Sequence, residues 1–228
     1  MSTIAPHAGP APAPVLVAAV PMGPRKRWTI AEFDDLVRKG FLREGSRTFL
    51  WDGEIIEPMP ENPPHVNAAM NLVRIFIGKV PEESWTVNQG NPIELREGYK
   101  PQPDLAVLKG PRARYRKAAP VASDVVLLVE VADSSYPNNA GVFMRAYAAA
   151  RISQYWIVNI RERRVEVYSA PGDTSDGAPC YAQRADYGLK DAVPLVVSQD
   201  GLESRLGEVP VINILRDSLE PDAEGAGA

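Results

Sequence analysis

The chain has 228 residues, 45% of them hydrophobic and 24% charged, which suits one mid-sized domain with a buried core and tails. A formal net charge of -4 excludes the global positive field that draws many nucleic-acid binders onto a polyanion, so any DNA contact must be local. The single cysteine, Cys180, excludes an internal disulfide framework and a thiolate metal site, and His7 and His65 are too far apart for a zinc motif; a reducing cytoplasm fits.

Residues 1–26 carry Pro6, Pro10, Pro12, Pro14, Pro21 and Pro24 among small residues, a composition expected to form a disordered tail. The apolar stretch PVLVAAVPM within it is too short to span a bilayer and has no basic residues before it, so neither a signal nor a membrane segment is expected. The segment RWTIAEFDDLVRKGF then predicts a helix, with Thr29 and Glu32 as a capping box, Phe33, Leu36 and Val37 at helical spacing, and Gly40 as the stop. RTFLWDGEIIEPMP, 47–60, reads as a hairpin turning at Asp52-Gly53. After Pro63-Pro64, the apolar positions Ala68, Ala69, Leu72, Val73, Phe76 and Ile77 predict a second helix.

Three strands are expected over 84–95, 103–110 and 124–133. The last, DVVLLVEVAD, is an unbroken apolar run of the kind found in a central strand covered on both faces. A helix from about Ala140 to Arg151 follows, then QYWIVNIRERRVEVYSA as two strands around the basic turn Arg161–Arg164. Weak strand signals and a last short segment complete the domain, and residues 217–228 read as an acidic disordered tail.

Glu130 lies inside VVLLVEV, where an unpaired charge costs several kcal/mol, so it must pair, bind a cation or turn to solvent. Asp104 opens the preceding strand. Carboxylates on neighbouring strands can offer hard oxygen ligands to one Mg²⁺ or Mn²⁺, with the backbone carbonyl of Val131 as a third, and such an ion polarises a phosphodiester. Glu57 is a further candidate for the metal shell. His65, at a helix start, is a candidate for phosphate contact or acid–base work, against the alternatives of capping and packing.

Taken in order, DGEIIEPMPENPPH, QPDLAVL, LLVEVADSS and RAYAAARISQYWIVN resemble the Uma-two family of the PD-(D/E)xK nuclease superfamily, over roughly residues 27–170. The resemblance implies an α/β fold for residues 27–216, a restriction-endonuclease-like mixed central sheet flanked by helices, with an N-terminal hairpin. It implies that Asp104 and Glu130 match the metal-binding acids, and that Glu57 and His65 match the upstream acidic and histidine positions. The family's lysine sits on the helix before the Tyr-Trp pair. Counting back from Tyr155-Trp156 puts its tyrosine at Tyr147, its lysine at Phe143 and its aspartate at Asn139.

Those positions fall at i, i+4 and i+8, one face of one helix, so the charge pair is lost as a unit. Arg145 is two positions on from Phe143 and turns about 200° away, while Lys100 is a substitute from another element. Losing a preorganised donor costs on the order of 10² to 10³ in rate. The expectation is a Mg²⁺- or Mn²⁺-dependent DNA endonuclease with weak or absent activity. The alternative is an inactive nuclease-fold module that binds nucleic acid or a protein partner. The basic turn and the loop KGPRARYRK, 109–117, offer local positive charge for DNA. No membrane contact is expected, and a homodimer is left open.

Overall fold

The computed structural model describes residues 23–43, 45–199 and 201–219. Most of the expected tail at 1–26, with His7, lies outside the described residues, as do residues 220–228. Asp217 and Ser218, expected in the acidic tail, instead pack on the domain. Asn67 and Asn71 donate their side-chain amides to the Asp217 carbonyl and carboxylate at 2.8 and 3.0 Å, and Ser218 is buried.

Helix α1 (Ile30–Arg38) begins where the capping box places it. The Glu32 amide donates to Thr29 Oγ1 and the Thr29 amide to Glu32, satisfying donors that the first turn otherwise leaves unpaired. The hairpin β1 (Phe49–Trp51) and β2 (Glu54–Ile56) turns through Asp52 at φ 49° and Gly53 at φ 69°, the geometry of a tight I′ connection. Glycine is needed at 53 for a second reason: a Cβ there would lie 2.9 Å from that of Arg27. Backbone bonds between Leu50 and Lys100 and from Gly53 to Gly98 fasten this hairpin to the rest of the domain.

Helix α2 (Pro63–Ile77) is capped by Asn62, whose side chain accepts from the His65 amide, and buries Ala68, Leu72 and Phe76. The central sheet follows: β3 (Trp85–Gln89), β4 (Leu105–Lys109), β5 (Val125–Ala132), β6 (Gln154–Asn159), β7 (Arg164–Asp173) and β8 (Pro179–Gly188), hydrogen-bonded in that order. Only β5 and β6 run parallel, so the sheet is mixed as expected. β3 stops short of the predicted residue 95: Gly90 takes φ 57°, and Ile93 and Leu95 bond instead to Pro101 and Tyr99.

The crossover from β5 to β6 starts earlier than the predicted Ala140. It comprises α3 (Tyr136–Asn138), a π turn at Asn139–Phe143 and α4 (Met144–Ala149). Pro137 lies in the first turn, where its missing N–H leaves no bond unmade. The weak signals at the end resolve into β8, which lengthens the sheet, a separate hairpin of β9 (Ala192–Gln199) and β10 (Leu202–Pro210), and α5 (Val211–Leu215).

Two apolar layers sandwich the sheet. On one face Leu72 and Phe76 of α2 meet Trp156 of β6, Leu195 of β9 and Ile214 of α5, with Phe76 edge-on to Trp156. On the other, Tyr147 and Ile152 pack with Ala106, Leu128 and Tyr155. Each such fully buried side chain contributes roughly 1.5–3 kcal/mol, and every β5 residue is buried, as its unbroken apolar run required.

Candidate metal centre

Strand register decides which carboxylates can meet. Leu105 of β4 pairs with Val129 of β5 in an antiparallel ladder, so the next step sets Asp104 opposite Glu130. Both have the side-chain parity of Ala106 and Leu128 and lie toward the α4 layer. Asp104 is 6% and Glu130 8% exposed. The Val131 amide donates to Asp104 Oδ2 at 2.8 Å, which ties the strand opening to the centre of the sheet.

The start of α2 supplies more donors. Glu61 and His65 lie one helical turn apart around the Asn62 cap. His65 Nε2 is 3.2 Å from Glu61 Oε1 and 3.3 Å from Asp104 Oδ1. One donor atom each from Glu61, His65 and Asp104 falls within 4.8 Å of the others. Arg47 crosses this group: one guanidinium nitrogen bonds Asp104 Oδ1 at 3.0 Å and the other pairs with Glu61.

Burial sets the charges. Burial alone would push Asp104 up, but the hydrogen bond and charge of His65, the Val131 amide and Arg47 outweigh it and hold the carboxyl below its usual range. Glu130 goes the other way. Burial first, then the negative charge of Asp104, push it up to about 8, although Tyr147 donates its hydroxyl to Glu130 Oε1 at 2.7 Å. Of two acids on adjacent strands, one is thus held toward its ionised form and the other pushed toward its protonated form.

These groups line a cavity of about 610 Å³ whose other walls include Phe49, Ile56, Asn139 and Phe143. Phe143 meets Trp51 edge-on at 4.5 Å and Phe49 at 6.3 Å, and stacks on Tyr147. Asn139, Phe143 and Tyr147, which the sequence reading set on one helix face, all line this cavity. Neither sequence-level substitute reaches it. Lys100 is buried against Asp34 at 2.7 Å and Glu94 at 3.0 Å, and exposed Arg145 lines a different groove beside Arg96 and Tyr99.

Glu57 is exposed and does not line the cavity; Glu61, four residues on, is the acid that meets His65. The i, i+4 spacing of Glu61 and His65 around a helix start was the signal available for it. Arg47 had a weaker one: it continues the alternation of Phe49 and Trp51, opposite buried Leu50. Of the basic segments, the β6–β7 turn lies at the site's end of the sheet, because β5 and β6 are parallel. There Arg161 bonds Asp133, a cavity residue, at 2.6 Å. Loop 109–117 follows Lys109, at the end of β4 away from Asp104, and its Arg114 pairs with Asp124.

The donor set fits a divalent cation. Carboxylates suit Mg²⁺ and Mn²⁺, and the imidazole among them favours Mn²⁺. The chain's fold is similar to a crystal structure, at 1.96 Å resolution, described as a putative nuclease belonging to DUF820 from Anabaena variabilis ATCC 29413. The TM-score is 0.59 with 14% sequence identity, over 84% of this chain and 99% of that one. At that identity the likeness shows the fold alone. No curated protein matches the chain. The model of the Uma2 family, described as "Putative restriction endonuclease", matches residues 30–198, and the chain belongs to that family.

Proposed function

We propose that this chain is a divalent-cation-dependent DNA endonuclease whose catalytic power is reduced by the aromatic residue at the lysine position. The observation that carries the reading is the pairing of buried Asp104 and Glu130 across β4 and β5, with Glu61 and His65 converging on the same cavity. Asp104 and Glu130, with the Val131 carbonyl, would hold Mg²⁺ or Mn²⁺, and Glu61 and His65 would complete the shell. A bound ion of this kind polarises a phosphodiester and lowers the pKa of the attacking water.

The chain's own groups have separate tasks in this reading. Asp104 is already ionised and offers a fixed negative ligand. Glu130 releases its proton when a cation offsets the neighbouring charge. His65 would join Glu61 in the shell, its Nε2 being 3.2 Å from Glu61 Oε1 and 3.3 Å from Asp104 Oδ1. Arg161, at the same end of the sheet, can meet the DNA backbone.

One observation favours a second reading, a nuclease-fold module that binds DNA without cutting it: Phe143 is not merely a missing cation but part of an aromatic cluster with Phe49 and Trp51. Supercoiled plasmid incubated with the full chain in Mg²⁺ or Mn²⁺ separates the two. Nicking or linearisation that disappears in Asp104→Ala and Glu130→Ala supports the endonuclease. DNA retained intact by wild type, in either ion, supports the module.

A further inference from the structure

We propose that Arg47 is the cation of this site: a phosphate-binding guanidinium that, before DNA and metal arrive, is held on the metal-binding acids themselves. The inference rests on the nuclease reading and names the residue that takes the place of the absent lysine. Three facts support it. Phe143 occupies the lysine position, Lys100 is consumed by Asp34 and Glu94, and Arg145 opens onto another groove, so the expected sources of positive charge are accounted for elsewhere. Arg47 lines the cavity and reaches both Glu61 and Asp104, while its side chain keeps 38% of its exposure and so stays open to a ligand. It also precedes β1 rather than lying within it, so no β1–β2 strand pairing fixes its backbone.

A guanidinium bound to two carboxylates occupies oxygen positions that a divalent cation needs. Metal binding must then release Arg47 from Asp104 and Glu61, and its planar fork of donors suits a phosphate oxygen pair. The same residue would oppose the metal in the free protein and favour the DNA in the complex. A purely structural ion pair would also oppose the metal but would leave DNA binding and its salt dependence unchanged.

The test measures two affinities in the full chain, for wild type, Arg47→Gln and Arg47→Lys. Mn²⁺ alone is titrated by calorimetry, and a DNA duplex is bound in Ca²⁺ across roughly 50 to 200 mM salt. Arg47→Gln is expected to bind Mn²⁺ several-fold more tightly and DNA more weakly. The slope of log affinity against log salt should fall by about 0.9, the loss of one phosphate contact, and Arg47→Lys should keep the wild-type slope. Weaker Mn²⁺ binding by Arg47→Gln, or an unchanged salt slope, overturns the proposal. If Arg47→Gln does not fold, Arg47→Ala is read on the same two measurements. Wild type that binds neither Mn²⁺ nor DNA overturns the nuclease reading and this inference together. Wild type that binds both, with Arg47→Gln unaltered in each, overturns the role of Arg47 alone.

Discussion

Tyr147 donates its hydroxyl to Glu130 Oε1 at 2.7 Å, so the helix that carries Phe143 also holds one of the site's two paired acids. The bond favours the ionised carboxylate, yet burial and the charge of Asp104 outweigh it and Glu130 titrates at about 8 against an ordinary 4.5. Between those values the native chain keeps a proton that the unfolded chain has released. Stability of the metal-free protein therefore contains a component, on the order of a few kcal/mol at most, that is complete below about pH 4.5 and lost as pH rises through about 8. Chemical denaturation across this range should show that decline in wild type and lose it in Glu130→Gln. Mn²⁺ affinity should climb by up to about tenfold per pH unit toward pH 8 and then level, because each ion displaces the Glu130 proton. Tyr147→Phe should move that levelling to higher pH.

Glu61 and Glu57 separate cleanly by experiment. Glu61 shares His65 and Arg47 with Asp104, whereas Glu57 is exposed outside the cavity. Glu61→Gln is expected to weaken Mn²⁺ binding by about tenfold or more, within the range typical when groups supporting a metal site are removed. Glu57→Gln should leave the calorimetric titration at the wild-type value.

Phe143→Lys tests what the aromatic wall replaced. The substitution gives up contacts with Trp51, Phe49 and Tyr147 and sets an ammonium beside apolar surface, so a melting experiment should show a loss of about 1–3 kcal/mol. Plasmid cleavage in Mn²⁺ should nevertheless rise, by up to the 10² to 10³ that a preorganised donor contributes. A stable Phe143→Lys protein with no gain in cleavage would show that the missing lysine is not what limits the rate.

Lys100 belongs to the scaffold. Its ammonium is buried between Asp34 of α1 and Glu94, and removing it leaves two acids facing each other. Both acids are about a third exposed, so Lys100→Met should cost about 2 kcal/mol, less than a fully buried pair. Mn²⁺ titration of the folded variant should match wild type.

Local signals carried much of the architecture. Thr29 with Glu32 marked α1, Asp52-Gly53 marked the hairpin turn, and the apolar run around Glu130 marked the central strand. That Asp104 and Glu130 lie on neighbouring strands was readable from the residues, whereas their direct pairing rests on the register of β4 on β5. What escaped depends on contacts distant in sequence. Arg47 meets Asp104 across 57 positions, and its alternation with Phe49 and Trp51 sets only its face of the strand, not its partner. The start of the crossover at Tyr136 was obscured because Pro137 reads as a breaker until its place in a first turn is known. The β9–β10 hairpin packs through the alternating residues Val193, Leu195 and Val197, but its neighbours on β5 lie far back in the chain.

The central claim is that Asp104 and Glu130 form a metal site, and a crystal of the wild-type chain equilibrated with Mn²⁺ at about pH 8 tests it most directly through anomalous scattering. The account predicts one strong peak in the cavity within about 2.5 Å of a carboxylate oxygen of each acid, with Arg47 drawn away from Asp104. Absence of any peak there at saturating Mn²⁺, with Arg47 still bonded to Asp104, would contradict it.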